Sequence, residues 1–174
     1  MGHNDYEGTW TLDDGEKLTL RHIIPADAAK EQAFVHGLSP ESSYRRFHGT
    51  IKDLSKKALK EFTEPDVRNA VAMVVLHSGE KGEEEIGVAR YVIDPGRADC
   101  EFAIVVADRW QKHGIGTRLM NTLISHIQAG GVKQISGSVI KSNSTMRTFM
   151  KQMGFEEIDD PDDSSTLLVT KHLD

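Results

Sequence analysis

The sequence predicts a mixed α/β fold in which a mostly antiparallel central sheet is flanked by helices. Three observations lead there. Apolar runs of strand length are bounded by charged or Gly/Pro turns, helical spacing of apolar residues appears only between some of them, and the order β-α-α-β-β-β-α-β-α-β-β lacks the strict alternation of a doubly wound parallel sheet. The 174 residues suit a single domain spanning 1–174. A globular chain of this size buries roughly 70% of its unfolded surface, so its core needs neither a disulfide nor a structural metal, in keeping with the lone Cys100.

Residues 1–16, polar and rich in Gly and Asp, read as a loose lead-in. Residues 17–23 alternate like a half-buried strand. Pro25 opens a helix carrying Ala28, Ala29, Ala33 and Phe34 and stopped by Gly37, and residues 38–62 continue as helix in two pieces interrupted near Gly49. The apolar run 70–76, the segment 86–93 and the segment 98–106 form a three-strand meander, joined by the charged turn 78–84 and by Asp94-Pro95-Gly96. Ile115, Leu119, Leu123, Ile124 and Ile127 mark an amphipathic helix closed by Gly130-Gly131. A strand at 134–140, a short helix at 144–153 and two strands around 155–158 and 167–172 complete the order, with the acidic run from Glu156 to Asp163 expected as a solvated turn.

Composition excludes several classes. With 21 Lys+Arg against 27 Asp+Glu the formal charge is −6, unlike a surface shaped for nucleic acid. No run approaches the roughly 18 apolar residues of a membrane helix, and Met1-Gly2-His3-Asn4-Asp5 opens no signal peptide, so a cytoplasmic protein without a membrane partner is expected. The eight histidines show neither His-x-His nor His-Glu-x-x-His spacing, so no metal is expected. Oligomeric state is not encoded in any recognisable pattern.

The chemistry concentrates in Gln111-Lys112-His113-Gly114-Ile115-Gly116-Thr117, between an apolar strand and an amphipathic helix. A helix N-terminus presents unpaired N–H groups and the positive end of the macrodipole, and glycines let a phosphate approach the backbone. The competing reading is that Gly114 and Gly116 only shape a tight connection. A dinucleotide fingerprint would need a third glycine at Leu119 and an acidic residue about 20 positions on, and a P-loop would need Gly-Lys-Ser/Thr; all are lacking.

Gln-x-x-Gly-x-Gly after a strand resembles the acetyl-CoA-binding motif of the GNAT N-acetyltransferase superfamily. Asn143 followed by Met153-Gly154-Phe155 is similar to that family's second signature, and the segments 38–47 and 98–103 are similar to the GNAT domains of bacterial Pat-type protein-lysine acetyltransferases. The resemblance implies a GNAT fold over nearly the whole chain and an acetyl group passed from acetyl-CoA, as co-substrate, to a primary amine, a protein lysine in the first instance. It implies further that Ile104, Val105 and Val106 run beside the pantetheine arm, that Gln111, Lys112, His113, Gly114, Ile115, Gly116 and Thr117 hold the diphosphate, and that Asn143 contacts the pantetheine region. Asn143 also suits a helix N-cap, and the two roles are compatible.

Glu101, ten residues before Gln111, is the candidate general base. An attacking lysine, with pKa about 10.4, must first lose a proton. Val106 is the candidate main-chain oxyanion donor. Where many GNAT enzymes carry a tyrosine as general acid this chain has Met150, and Met146, Phe149, Met150 and Met153 read as a core stripe. Period two points Cys100 away from Glu101, against its being a nucleophile. A small-molecule amine acceptor and a non-catalytic acyl-CoA sensor are the alternatives the sequence leaves open.

Overall fold

The structure is a computed structural model that describes residues 7–47, 53–94 and 99–173. Eight strands, β1 (Gly8–Thr11), β2 (Lys17–His22), β3 (Ala70–Gly79), β4 (Gly82–Asp94), β5 (Asp99–Val106), β6 (Gln134–Ile140), β7 (Glu156–Asp159) and β8 (Thr166–His172), form one sheet in the order β1-β2-β3-β4-β5-β6-β8-β7. Every neighbouring pair is antiparallel except β5 and β6. The helices are α1 (Ala28–Gly37), α2 (Pro40–Phe47), α3 (Lys56–Thr63), α4 (Ile115–Ala129) and α5 (Ser144–Gln152).

Two expectations need correction. Residues 1–16 are not all a loose lead-in: Gly8–Thr11 is a strand, because Thr9 and Thr11 suit an extended backbone and Trp10 packs on the core beneath the Arg118 guanidinium, 4.0 Å from its ring centroid. Gly15, at φ +90°, lets the chain turn back into β2. The helix expected from Pro25 instead begins at Ala28, because Pro25–Asp27 is a 3-10 turn before α1, while the two helical pieces expected over 38–62 are α2 and α3. The Asp27 carboxylate causes that turn by accepting the Ile24 N–H (2.9 Å) and two bonds from Arg21 (2.7 and 2.8 Å). The predicted break at Gly49 and the turn residues Pro95 and Gly96 lie outside the described residues.

The sheet carries a core on each face. On one, α4 and α5 cover Leu18, Met73, Cys100, Phe102 and Ile104, with Leu119, Met120, Leu123 and Ile127 of α4 wholly buried. Each such aliphatic side chain contributes about 1.5–3 kcal/mol. On the other, Phe34, Val35, Leu38 and Leu54 pack over Ala72, Val74, Leu76, Val88 and Val105. β5 therefore alternates as its period predicts, Cys100, Phe102 and Ile104 to one side and Val105 to the other.

Buried charge lies beneath α1. Glu31 is 1% exposed and accepts a 3.3 Å bond from Arg90 of β4, while both carboxyl oxygens of the neighbouring Glu85 lack a donor among the described residues. Burial, and then the charge of Glu31, push Glu85 up to about 10, so it holds a proton at neutral pH. An unfolded glutamate releases that proton above about pH 4.5. Folded stability thus falls as pH rises from there toward the folded value, by at most about 1.4 kcal/mol per pH unit. Glu85→Gln should gain stability over the parent progressively between pH 5 and pH 8 in urea unfolding; a difference independent of pH would contradict the buried proton.

β5 and β6 pair only at Cys100↔Ile135 and Glu101↔Ser136 and then part. The Phe102 ring fills the base of the gap against Gly137, where a Cβ would lie 2.7 Å from the ring edge. Gly137→Ala should therefore cost about 1–3 kcal/mol by overpacking, read as a lower urea midpoint.

Candidate active site

The parting strands open a cleft of about 890 Å³ between the β5 backbone, the loop into α4, the start of α5 and the side of α2. Of the residues singled out in the sequence, Glu101, Ile104, Val105, Val106, Gln111, Lys112, Gly114, Ile115, Gly116, Thr117 and Asn143 line it. His113 does not: its exposed ring stands 6.2 Å from that of Trp110, outside the lining. The side chains of Val105 and Ile115 are buried in the two cores, so what they present to the cleft is mainly backbone.

Backbone direction follows from register. Ala107 donates to the Ile86 carbonyl (2.8 Å), and Val106 pairs opposite Gly87. Along an antiparallel ladder the hydrogen-bonding residues alternate, so the amides of Ile104 and Val106 point away from β4 and into the gap. The Val106 carbonyl is taken by the Gln111 side chain (3.1 Å), which fixes the corner between strand and loop. At about 3.3 Å per residue, Ile104 lies about 10 Å along the strand from Glu101 and Val106 about 16 Å.

Beyond the corner, Lys112 (φ 66°) and Gly114 (φ 79°) turn the chain through two left-handed residues into α4. The first helical bond within α4 is from Arg118 to Gly114 (3.1 Å), so the N–H groups of Ile115, Gly116 and Thr117 have no helical acceptor. No side chain caps this end and no acidic residue occupies its first turn, which leaves the positive end of the dipole uncompensated. The two glycines differ. Gly114 is demanded by its φ; at Gly116 a Cβ would sit 3.6 Å from the Phe149 ring, an ordinary contact, so packing alone does not require it. Asn143, 7% exposed, caps α5 through Oδ1 to the Met146 N–H (3.2 Å), leaving its amide nitrogen for a ligand.

A bare diphosphate-sized N-terminus beside a strand edge with free amides fits a long thioester carrier. Comparison with known proteins agrees: residues 32–155 match the Acetyltransferase (GNAT) family. The chain belongs to the GNAT acetyltransferase family. It is 31% identical to an acetyltransferase of Pseudomonas aeruginosa over 91% of this chain and 85% of that protein. It is also 30% identical to the acetyltransferase Pat of Mycolicibacterium smegmatis over 80% of this chain, a match that spans 41% of Pat. The fold is that of the GNAT domain of S. lividans PAT (TM-score 0.84, 23% identity, 99% and 100% of the two chains). It is likewise that of yncA from Salmonella typhimurium, solved with its cofactor acetyl-CoA (TM-score 0.72, 16% identity, 90% and 94%). This GNAT protein is accordingly an acetyl-CoA-dependent N-acetyltransferase.

Among the described lining residues of the GNAT cleft, Glu101 is the one carboxylate. It is exposed and bonded to no described residue. No residue of α2 was singled out in the sequence as part of the site, yet Ser42, Arg45, Arg46 and Phe47 form one wall. Ser39 and Ser42 pin α2 there by donating to Asp108 (2.7 and 2.8 Å). The helix start at Ser39-Pro40 is legible, but which of its faces meets β5 depends on these bonds across the chain. Arg45 pairs with Glu41 (2.6 Å). Burial, then Arg90, lower Arg46 to about 10, so it stays cationic at neutral pH.

The reading of the α5 stripe needs correction in part: Met150 is fully buried, but Met146 and Phe149 also line the cleft, because α5 sits at its edge. Burial, then the Glu101 charge, raise the Cys100 thiol to about 12, which removes it as a nucleophile. Gly116→Ala, with its better helix propensity, should keep or raise the Tm while weakening acetyl-CoA binding about tenfold in calorimetry. Unchanged affinity would return Gly116 to a shaping role.

Proposed function

We propose that this enzyme acetylates a protein lysine by direct attack in a ternary complex, with Glu101 as general base. The observation that carries the reading is the Glu101 carboxylate, the one carboxylate among the described lining residues and without a side-chain partner among the described residues, where β5 and β6 part and a lysine on a large partner can reach it. The similarity to Pat-type protein-lysine acetyltransferases supports the acceptor class.

The residues divide the work. The amides of Ile115, Gly116 and Thr117, with Lys112 beside them, hold the diphosphate at the positive end of α4. Val106 N–H and the Asn143 amide engage the pantetheine arm, with Val105 supplying the intervening backbone. Glu101 accepts a proton from the incoming ammonium through one water, freeing the nitrogen lone pair. A carboxylate plus one water spans two bonds of about 2.8 Å beyond the side chain, so the amide matched to Glu101 is Ile104, about 10 Å away, rather than Val106 at about 16 Å. Ile104 N–H thus takes the oxyanion role expected of Val106. The lining carries no tyrosine, histidine or cysteine among the described residues, and the departing thiolate takes its proton from water.

A small-amine acceptor differs from this reading in one measurable way. Release of CoA thiol is to be followed with lysine-bearing proteins and with small amines; faster turnover per molar acceptor on proteins supports the lysine reading, and turnover confined to small amines overturns it. Glu101→Gln should lower kcat about 10²-fold or more while acetyl-CoA affinity stays within about twofold. Retained turnover across the pH range would remove Glu101 from the mechanism.

A further inference from the structure

Away from the cleft, three elements bring potential metal ligands to one point. Glu7 lies just ahead of β1, His22 ends β2, and His126 lies near the end of α4. Glu7 Oε1 is 2.7 Å from His126 Nε2 and 3.7 Å from His22 Nε2, and the three ligand atoms all lie within 4.8 Å of one another. The two imidazoles stand edge to face, with centroids 5.0 Å apart.

We propose that Glu7, His22 and His126 form a binding site for one divalent cation of the zinc class, completed by water. A tetrahedral ion with bonds of about 2.0–2.1 Å holds its ligand atoms about 3.3 Å apart, and the observed separations of 2.7 and 3.7 Å bracket that value. Hydrogen bonding explains only half of the arrangement. One imidazole suffices to satisfy a carboxylate oxygen, yet two direct their Nε2 atoms at the same one, which is the geometry of shared coordination. Two nitrogens and one carboxylate select zinc, cobalt, nickel or copper over the all-oxygen preference of calcium and magnesium. Side-chain exposures of 32%, 49% and 28% leave an entry path.

The site serves structure rather than acetyl transfer. His126 is eleven residues beyond Ile115, about 16 Å along the helix axis from the end that faces the cleft. A cation there ties the N-terminal strand to both β2 and the far end of α4. Its ligands come from positions 7, 22 and 126, which is why no short His spacing announces it.

Zinc titrated calorimetrically into the metal-free full chain should bind at one ion per chain, and cobalt should give the visible bands of a tetrahedral site. His22→Ala and His126→Ala should each weaken zinc binding about tenfold or more. Saturating zinc should raise the Tm of the parent by about 5 °C and leave that of the His22→Ala/His126→Ala double variant unmoved. Circular dichroism reports whether the variants remain folded, and Glu7→Gln, which alters neither packing element, supplies an independent loss of affinity if they do not. Equal zinc affinity in parent and Glu7→Gln or folded double variant, or no saturable binding by the parent below about 1 mM, overturns the proposal.

Discussion

The separation of β5 from β6 after two paired residues is the constraint on which the rest of the molecule depends. Free amides in the middle of a sheet are costly, since nearly all buried backbone groups in folded proteins find partners. Here the cost is offset by the unbroken β4–β5 ladder on one side, and by Phe102 packed on Gly137 at the fork. The result is a strand held rigidly on one edge and open on the other, an extended template to which an extended carrier can add. Every residue of the acetyl-transfer site takes its place relative to that edge.

Charge is distributed to match. The chain carries a net −6, but the cleft concentrates cationic and dipolar groups: Arg45, Arg46, Lys112 and the uncapped start of α4. Glu101 is the one carboxylate among the described lining residues, at the opposite end of β5 from the uncapped start of α4. The same molecule buries Glu31, Glu85 and Arg90 beneath α1, next to Arg46, so the wall of the cleft rests on a charged layer whose balance requires a bound proton.

The family membership explains the shared scaffold, and the local differences show where this enzyme departs from it. Met150, buried to 0% exposure, gives its position in α5 to the core, and the described lining of the cleft holds no tyrosine, histidine or cysteine. The α2 wall of the cleft is a short helix held by two serine hydroxyls to Asp108 in the strand-to-helix loop.

What the sequence determined by itself was whatever depends on neighbours along the chain. Period two in β5 assigned Cys100, Phe102 and Ile104 to one face and Val105 to the other; the glycine pattern from Gln111 to Thr117 marked the strand-to-helix turn and the start of α4; Asn143 announced a cap. Tertiary structure decided the rest, because those features join residues far apart in sequence. Gly8–Thr11 becomes a strand only because β2 offers an edge and α4 offers Arg118 to Trp10. The short β5–β6 pairing, the arrival of Arg45 and Arg46 at the cleft, and the convergence of Glu7, His22 and His126 all arise from packing across the sheet, where local spacing carries no signal.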